Sequence, residues 1–535
     1  MTEKILTGNE AIAYGALEAD VRVVTGYPGS PSTKVLTSIL KLYEDDTSRH
    51  VEWSVNEKVA FEIALGASLG GDRALVCLKS VGMNITVDPI MTANLTGINA
   101  GLVILLGDDP GAWGSQNEQD TRPLVDFMEL PIMEPSSPQE GKDMMAAAFD
   151  ISEEFHTIVV VREIGGLSTA EGAVQITGTP IATESKGFVR EKNRWVSTTF
   201  NVIENHRKLH DKLGNLAQRF ESSPFNEAVG ANGQQHVIAV GFAYNRLMEV
   251  LGSESDGLSI LKLGTTNPIP GDTVVSFLNE AESVMVLEDN EPYVENKIKA
   301  IVHDAHLDTE VLGKTSGHVP REGELSEKDI KRVVDDGYSA SSIQQPVPII
   351  ASKSFCDGCP YTLIFEALSQ VIEELGEEPV IIAEPGCGVR LNAPPFEMLD
   401  VKHSMGSAIG IASGLARARA NIKPIAVCGD SSFFHTGING LMNVVENRVN
   451  FLILVLDNSV TALTGYQPHP GTGVDARGRV TEAIDIAELA EACHIPSVTV
   501  IDPDDTEAMK LAFRRGLTSD ELSMIVARKP CPLAE

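Results

Sequence analysis

An aspartate directly after a glycine, Gly429-Asp430, and an Asp457-Asn458 pair closing a hydrophobic run are the residues here best suited to chemistry. A carboxylate and an amide oxygen are hard donors of the kind magnesium prefers. Ser431 and Ser432 continue the first turn, whose backbone N–H groups suit a phosphate. The set reads as a site for a magnesium diphosphate. A Gly-Asp-Ser turn and a distant Asp-Asn are common by themselves, so the reading depends on what positions them.

Residues 425–428, Ile-Ala-Val-Cys, form a short apolar run of the kind that buried parallel strands show. Ile438, Leu441, Met442 and Val445 then recur at i, i+3, i+4 and i+7, an amphipathic helix. Residues 451–456 are an unbroken apolar strand that delivers Asp457 and Asn458. A right-handed crossover makes the two strands parallel, so both polar turns emerge at one carboxyl edge, where open α/β sheets bind ligands.

With 535 residues the chain exceeds one core and predicts about three domains. A hydrophobic fraction of 43% and 46 glycines fit an α/β protein. The net charge of −33, from 75 acids against 42 bases, argues against nucleic acid and anionic membranes as partners. Seven mostly isolated cysteines make no disulfide framework, the N-terminus lacks signal-peptide features, and no apolar run approaches the roughly 20 residues that span a bilayer. A cytoplasmic enzyme is the expectation.

Strands are expected at residues 21–25, 74–78, 102–106 and 157–161, then at 236–240, 259–263 and 283–287. Residues 165–230 and 314–348 are polar and read as connecting segments. The divisions predicted are 1–170, 171–230 as a connector, 231–335 and 349–535, with two doubly wound parallel sheets and a smaller α/β domain between them. Glu57 falls on a helix with Ala60, Ala64 and Ala67, off the stripe of Val55, Val59 and Ile63. Helical spacing by itself favours a solvated glutamate there. The single Cys356-x-x-Cys359 lacks the second pair that a structural zinc site wants.

Longer strings narrow the reading. The Asp430/Asn458 spacing resembles the magnesium–thiamine diphosphate motif. Gly429-Asp430-Ser431-Ser432-Phe433-Phe434-His435-Thr436-Gly437 and Thr464-Gly465-Tyr466-Gln467-Pro468-His469-Pro470 are similar to the thiamine diphosphate-dependent 2-oxoacid:ferredoxin oxidoreductases, nearest to the α subunits that act on indolepyruvate. Gly26-Tyr27-Pro28-Gly29-Ser30-Pro31 and the string around Glu57 look like the pyrimidine-binding domain of that family. The middle division resembles its transketolase-C-like domain.

The resemblance implies a role for each site. Glu57 matches the acid that activates the cofactor's aminopyrimidine ring. Asp430, the Asn458 side chain and the Val460 carbonyl match the magnesium ligands. Gly29, Cys387, Met405, Gly429, Ser431 and Ser432 fall among the cofactor-binding positions, with Met405 wedged between the two rings. Ser30, Lys79, Gln116, Asn117 and His469 fall where substrate is held. Two positions depart: Tyr361 and Tyr466 stand where the family has histidines.

The implied reaction is decarboxylation of a 2-oxoacid, an arylpyruvate such as indolepyruvate, with oxidation of the resulting enamine to an acyl-CoA. Family α subunits continue into a ferredoxin-like domain whose cluster spacing does not occur here, so no iron–sulfur cluster is expected in this chain. An iron–sulfur subunit, a β-type subunit or a second copy is then the expected partner, with coenzyme A as co-substrate. Alternatives are a non-oxidative decarboxylase or carboligase making an aldehyde or acyloin, and a catalytically silent assembly subunit.

Overall fold

The apolar runs of the first half become a seven-stranded sheet in the order Thr265–Asn267, Ile132–Met133, Val159–Ile164, Leu102–Asp108, Ala74–Lys79, Val23–Gly26 and His50–Trp53. Neighbours are parallel except at the Thr265–Asn267 edge. Ala74–Lys79 and Leu102–Asp108 are buried throughout, as strands covered on both faces must be. The computed structural model describes residues 2–177, 180, 183–191, 194–230, 235–252, 257–335, 353–418 and 423–534.

Strand limits shift by a few residues from the sequence expectation. Thr157 is not in a strand, because its amide closes the preceding helix Pro138–Phe155 onto Ser152 at 3.1 Å. The segment 165–230 holds more structure than expected. Glu171–Ile176 pairs antiparallel with Thr2–Thr7, and Val202–Glu221 is a 20-residue helix. That helix buries only Leu209, Leu216 and Phe220, so its sequence is polar almost everywhere else. Within 314–348, Glu327–Asp335 is a helix burying Ile330 and Val333, while 336–352, including the expected start at 349, lie outside the described residues.

A second sheet runs Glu310–Leu312, Ser283–Leu287, Gln235–Val240, Leu258–Leu263 and Glu227–Val229, parallel except for the last strand. Its residues Ile238, Leu261 and Val286 share one core with Leu78, Ile104 and Val160 of the first sheet. The two sheets are also joined by buried charge. Arg162 meets Asp108 at 2.7 Å, Glu134 at 2.5 Å and the Asn290 amide oxygen at 2.7 Å. Arg122, fully buried, meets Asp120 at 2.6 Å and Glu288 at 2.9 Å. Charges so deep are tolerated only when paired. These contacts make Met1–Val347 one compact unit.

Pro348–Glu535 is the second compact unit. Its six-stranded sheet is parallel throughout, in the order Val401–Lys402, Val380–Ala383, Pro424–Gly429, Leu452–Asp457, Ser523–Arg528 and Ser497–Ile501. Between its third and fourth strands the chain is helical as Asp430–Ser432, a π turn Phe433–Gly437, and Ile438–Glu446. The buried face is Leu441 and Val444. Met442, expected on it, is exposed. Among the described residues no helix is long and apolar enough to cross a membrane.

Candidate active site

In the second unit the diphosphate-motif residues converge at the carboxyl ends of adjacent strands. Pro424–Gly429 ends at Asp430, and Leu452–Asp457 delivers Asn458. Asp430 Oδ2 accepts from the Asn458 amide at 3.1 Å, and its Oδ1 accepts from the Ser431 amide at 2.7 Å. The Asn458 side-chain oxygen accepts from the Val460 amide at 3.2 Å. Asp430, Asn458, Ser431 and Ser432 are all buried. The His469 Nε2 lies 3.1 Å from Asp430 Oδ2, yet this buried ring nitrogen makes no hydrogen bond at the cluster. Such an orphaned atom beside hard oxygens fits a bound group that completes the set.

A strap crosses the π turn. Thr436 Oγ1 donates to the Met405 carbonyl at 3.0 Å, and the Gly406 amide donates to Ser432 Oγ at 3.1 Å. Gly406 has φ of 75°, and a Cβ there would fall 1.9 Å from Thr436 Oγ1, so only glycine fits. Beneath the strap, Glu384 hydrogen-bonds Ser432 and accepts from the Ala408 amide at 2.6 Å. Burial holds its carboxyl above the usual carboxylate range, against the pull of those donors. Sequence reasoning passed over Glu384 because it precedes a Pro-Gly turn and no spacing ties it to Asp430.

Cys387 opens a short 3₁₀ turn at the end of the Val380–Ala383 strand loop. It lines a cavity of about 180 Å³ together with Cys356, Cys359, Cys531, Tyr361 and Asn458. Four thiols therefore face one space, brought from three separate loops. The chain after Ser523–Arg528 turns back over the motif, and the Cys531 amide donates to the Asn458 carbonyl at 3.1 Å. Burial pushes the Cys387 thiol up to about 11 and raises that of Cys359. Four cysteine ligands are the number an iron–sulfur cluster takes, whereas no three of these sulfurs lie within the 4.8 Å of one another that a single zinc ion would need.

Tyr361 and Tyr466, expected from the sequence to depart from the family pattern, differ in setting. Tyr361 is buried and donates to the Leu456 carbonyl at 3.2 Å; burial, reinforced by Asp430, keeps its phenol protonated. Tyr466 is exposed at the cavity rim with φ of 65°.

In the first unit, Glu57 is the first residue of the helix Glu57–Gly70, whose N-cap Asn56 accepts from the Val59 amide at 2.9 Å. Helical spacing favoured a solvated glutamate; instead Glu57 is only 6% exposed. Its pocket is made by Gly82, where a Cβ would lie 2.5 Å from Glu57 Oε1. The signal was the absent side chain on a neighbouring helix, which spacing within one helix cannot show.

Lys79 ends its strand buried, and its Nζ donates to the Gly114 carbonyl at 2.8 Å. Burial lowers the ammonium's pKa, opposed by Asp109. Asp109 accepts from the Gly114 amide at 2.8 Å and from Ser115 Oγ at 2.5 Å. Gly29 packs against the Lys79 stem, and a Cβ at Gly114 would stand 3.6 Å from that of Ser30. Ser30, Lys79 and the 109–115 loop are thus together. Gln116 and Asn117 are exposed on the loop and make no hydrogen bond with Lys79 or Ser30. Glu57, Ser30, Lys79 and Asp109 all lie at or just past the carboxyl ends of neighbouring parallel strands.

Comparison with known proteins finds relatives over nearly the whole chain. Residues 14–194 match the model described as pyruvate flavodoxin/ferredoxin oxidoreductase, thiamine diP-bdg. Residues 389–527 match the thiamine pyrophosphate enzyme, C-terminal TPP binding domain. The chain is 35% identical over 556 residues to the indolepyruvate oxidoreductase subunit IorA of Archaeoglobus fulgidus, covering 99% of this chain and 87% of that one. The subunit of the same name from Pyrococcus abyssi is 36% identical over 564 residues, covering 99% and 86%. A 2-oxoglutarate:ferredoxin oxidoreductase from Magnetococcus marinus, solved with 2-oxoglutarate, coenzyme A and succinyl-CoA bound, has a TM-score of 0.50 at 14% identity. It covers 62% of this chain and 65% of that one, and shows the shared fold.

Proposed function

Because this chain belongs to the family of indolepyruvate oxidoreductase subunit IorA, we propose that it oxidatively decarboxylates an arylpyruvate such as indolepyruvate. The 2-oxoacid anion and coenzyme A give an acyl-CoA, CO2, one proton and two electrons. The observation that carries the reading is the convergence of buried Asp430, Asn458 and Val460 at one sheet edge. Thiamine diphosphate, when bound, supplies the nucleophilic carbon that attacks the 2-oxo group.

The chain's own residues supply the rest. The Asp430 carboxylate, Asn458 Oδ1 and the Val460 carbonyl offer Mg2+ the oxygen donors it prefers. Glu57, screened from water at 6% exposure, would hydrogen-bond the aminopyrimidine nitrogen. The Met405–Gly406 strap, fixed by Thr436 and Ser432, orients the cofactor's rings. Lys79 and Ser30 hold the substrate's carboxylate and oxo oxygen, and His469 stands beside the metal ligand Asp430.

The two electrons leave singly, and the four-thiol cavity beside Asn458 is where this chain can receive them. The missing ferredoxin-like spacing gives the expectation of no cluster in this chain; against it, the gathering of Cys356, Cys359, Cys387 and Cys531 around one cavity supports an iron–sulfur cluster held there, a one-electron carrier. A partner bearing further clusters, with a β-type subunit, takes the electrons onward. The relatives are oxidoreductase subunits, so the non-oxidative and silent-subunit readings are not favoured.

Calorimetric titration tests the carrying observation. Thiamine diphosphate should bind wild-type protein with magnesium, and Asp430→Ala should weaken that binding about 100-fold, roughly 2.7 kcal/mol. Equal affinity in the variant would remove Asp430 from the site.

A further inference from the structure

On the first unit, away from every residue assigned above, three side chains meet around one point. His206 and His210 lie four residues apart on the helix Val202–Glu221 and therefore share a face. Their Nε2 atoms stand 2.8 and 2.9 Å from the two carboxylate oxygens of Glu129. The imidazole centroids are 4.3 Å apart. One ligand atom from each of the three residues lies within 4.8 Å of the others. Among the described residues no other trio of histidine, cysteine and carboxylate groups does so.

We propose that Glu129, His206 and His210 form a site for a divalent transition-metal ion, with zinc as the reference ion. Two imidazoles four residues apart on a helix, with a carboxylate from a separate element, are the donor types and spacing that such ions use. Imidazole nitrogens select zinc, cobalt, nickel or copper over magnesium and calcium, which take oxygen ligands. Both Nε2 atoms already point at one carboxylate. A small rotation of each side chain brings three donors to about 2.0–2.2 Å from a common centre.

The carboxylate is held in advance. Glu129 has φ of 58°, its amide donates to the Asp126 carbonyl at 2.8 Å, and its carbonyl accepts from Asn94 Nδ2 at 3.1 Å. A non-glycine residue in that conformation persists only where its surroundings fix it. The histidines are 44% and 58% exposed and Glu129 28%, so an ion can enter from solvent and keep water at its fourth position. The role is a clamp. The helix Val202–Glu221 belongs to the segment that links the two sheets of this unit, and it touches the first domain near this point through Lys212 Nζ on the His156 carbonyl at 3.0 Å. An ion at Glu129 would fasten the same helix to the turn after Arg122–Phe127.

Free cysteine thiols elsewhere in the chain also take up added zinc, so the test is a difference. Zn2+ is titrated calorimetrically into metal-free wild type, into His206→Ala/His210→Ala, and into Glu129→Gln. The double variant should bind one equivalent fewer, and Glu129→Gln should bind that equivalent at least about tenfold more weakly. Cobalt bound at this site should give d–d absorption without thiolate charge-transfer bands. The ion should also raise the melting midpoint in wild type more than in the double variant. Replacing exposed histidines leaves the fold intact, which circular dichroism checks. Identical stoichiometry and affinity in wild type and double variant would overturn the proposal, as would cobalt spectra of thiolate character alone.

Discussion

The carboxylate of Glu57 occupies space that exists only because residue 82 has no side chain. A Cβ at Gly82 would fall 2.5 Å from both Cγ and Oε1 of Glu57 and 2.7 Å from Cδ. The two residues lie in the first turns of different helices, Glu57–Gly70 and Ser80–Thr96, each following a parallel strand. Gly82→Ala must therefore push the glutamate aside, because the rest of its environment is packed. The protein should fold and bind thiamine diphosphate, with turnover down at least about tenfold. Glu57→Gln, which keeps the shape and loses the acid, should abolish turnover with binding retained. Steady-state kinetics alongside cofactor titration separates the two effects. Wild-type turnover in both variants would show that the acid at this position does no chemistry.

Glu163 gives a pH signature of stability. It lies fully buried in Val159–Ile164, neither carboxylate oxygen has a hydrogen-bond partner, and burial lifts its carboxyl to about 8. The folded protein keeps a proton that the unfolded chain releases above about 4.3. The folded pKa is raised, so stability from this group is full in acid and is lost as pH rises from about 4.3 to 8. Over that window the loss is on the order of 4–5 kcal/mol. Glu163→Gln removes the dependence, so its melting midpoint should exceed that of wild type at pH 8 and converge with it near pH 5. Parallel curves would mean that the carboxyl is ionised in the folded state.

Iron and acid-labile sulfide should be present in protein purified without oxygen. Cys531→Ser, which removes one sulfur from the four-thiol cavity, should lose most of both. The same variant leaves the Cys531 amide on the Asn458 carbonyl, so thiamine diphosphate should still bind. Iron content unchanged by the substitution would place any cluster elsewhere.

Much of this layout was legible in the residues. Continuous apolar runs such as residues 102–106 and 451–456 fix parallel strands, and the polar residue after each run then lies at the carboxyl edge. That was enough to bring Asp430 to Asn458. What stayed hidden is whatever depends on contacts between elements. Glu57 looked solvated because its cover comes from Gly82. Cys356 and Cys359 looked isolated because Cys387 and Cys531 join them only after three strands are laid side by side. The helix Val202–Glu221 read as a polar connector because three buried side chains hold it. Met442 fell on the expected stripe, yet the buried face passes through Val444.

The fate of the two electrons decides the account. The chain is purified anaerobically together with its bound subunits and supplied with thiamine diphosphate, magnesium, indolepyruvate, coenzyme A and a viologen dye. Dye reduction should require both coenzyme A and the 2-oxoacid, with one acyl-CoA formed for every two dye molecules reduced. Aldehyde or acyloin released at the same rate without coenzyme A or dye would contradict it.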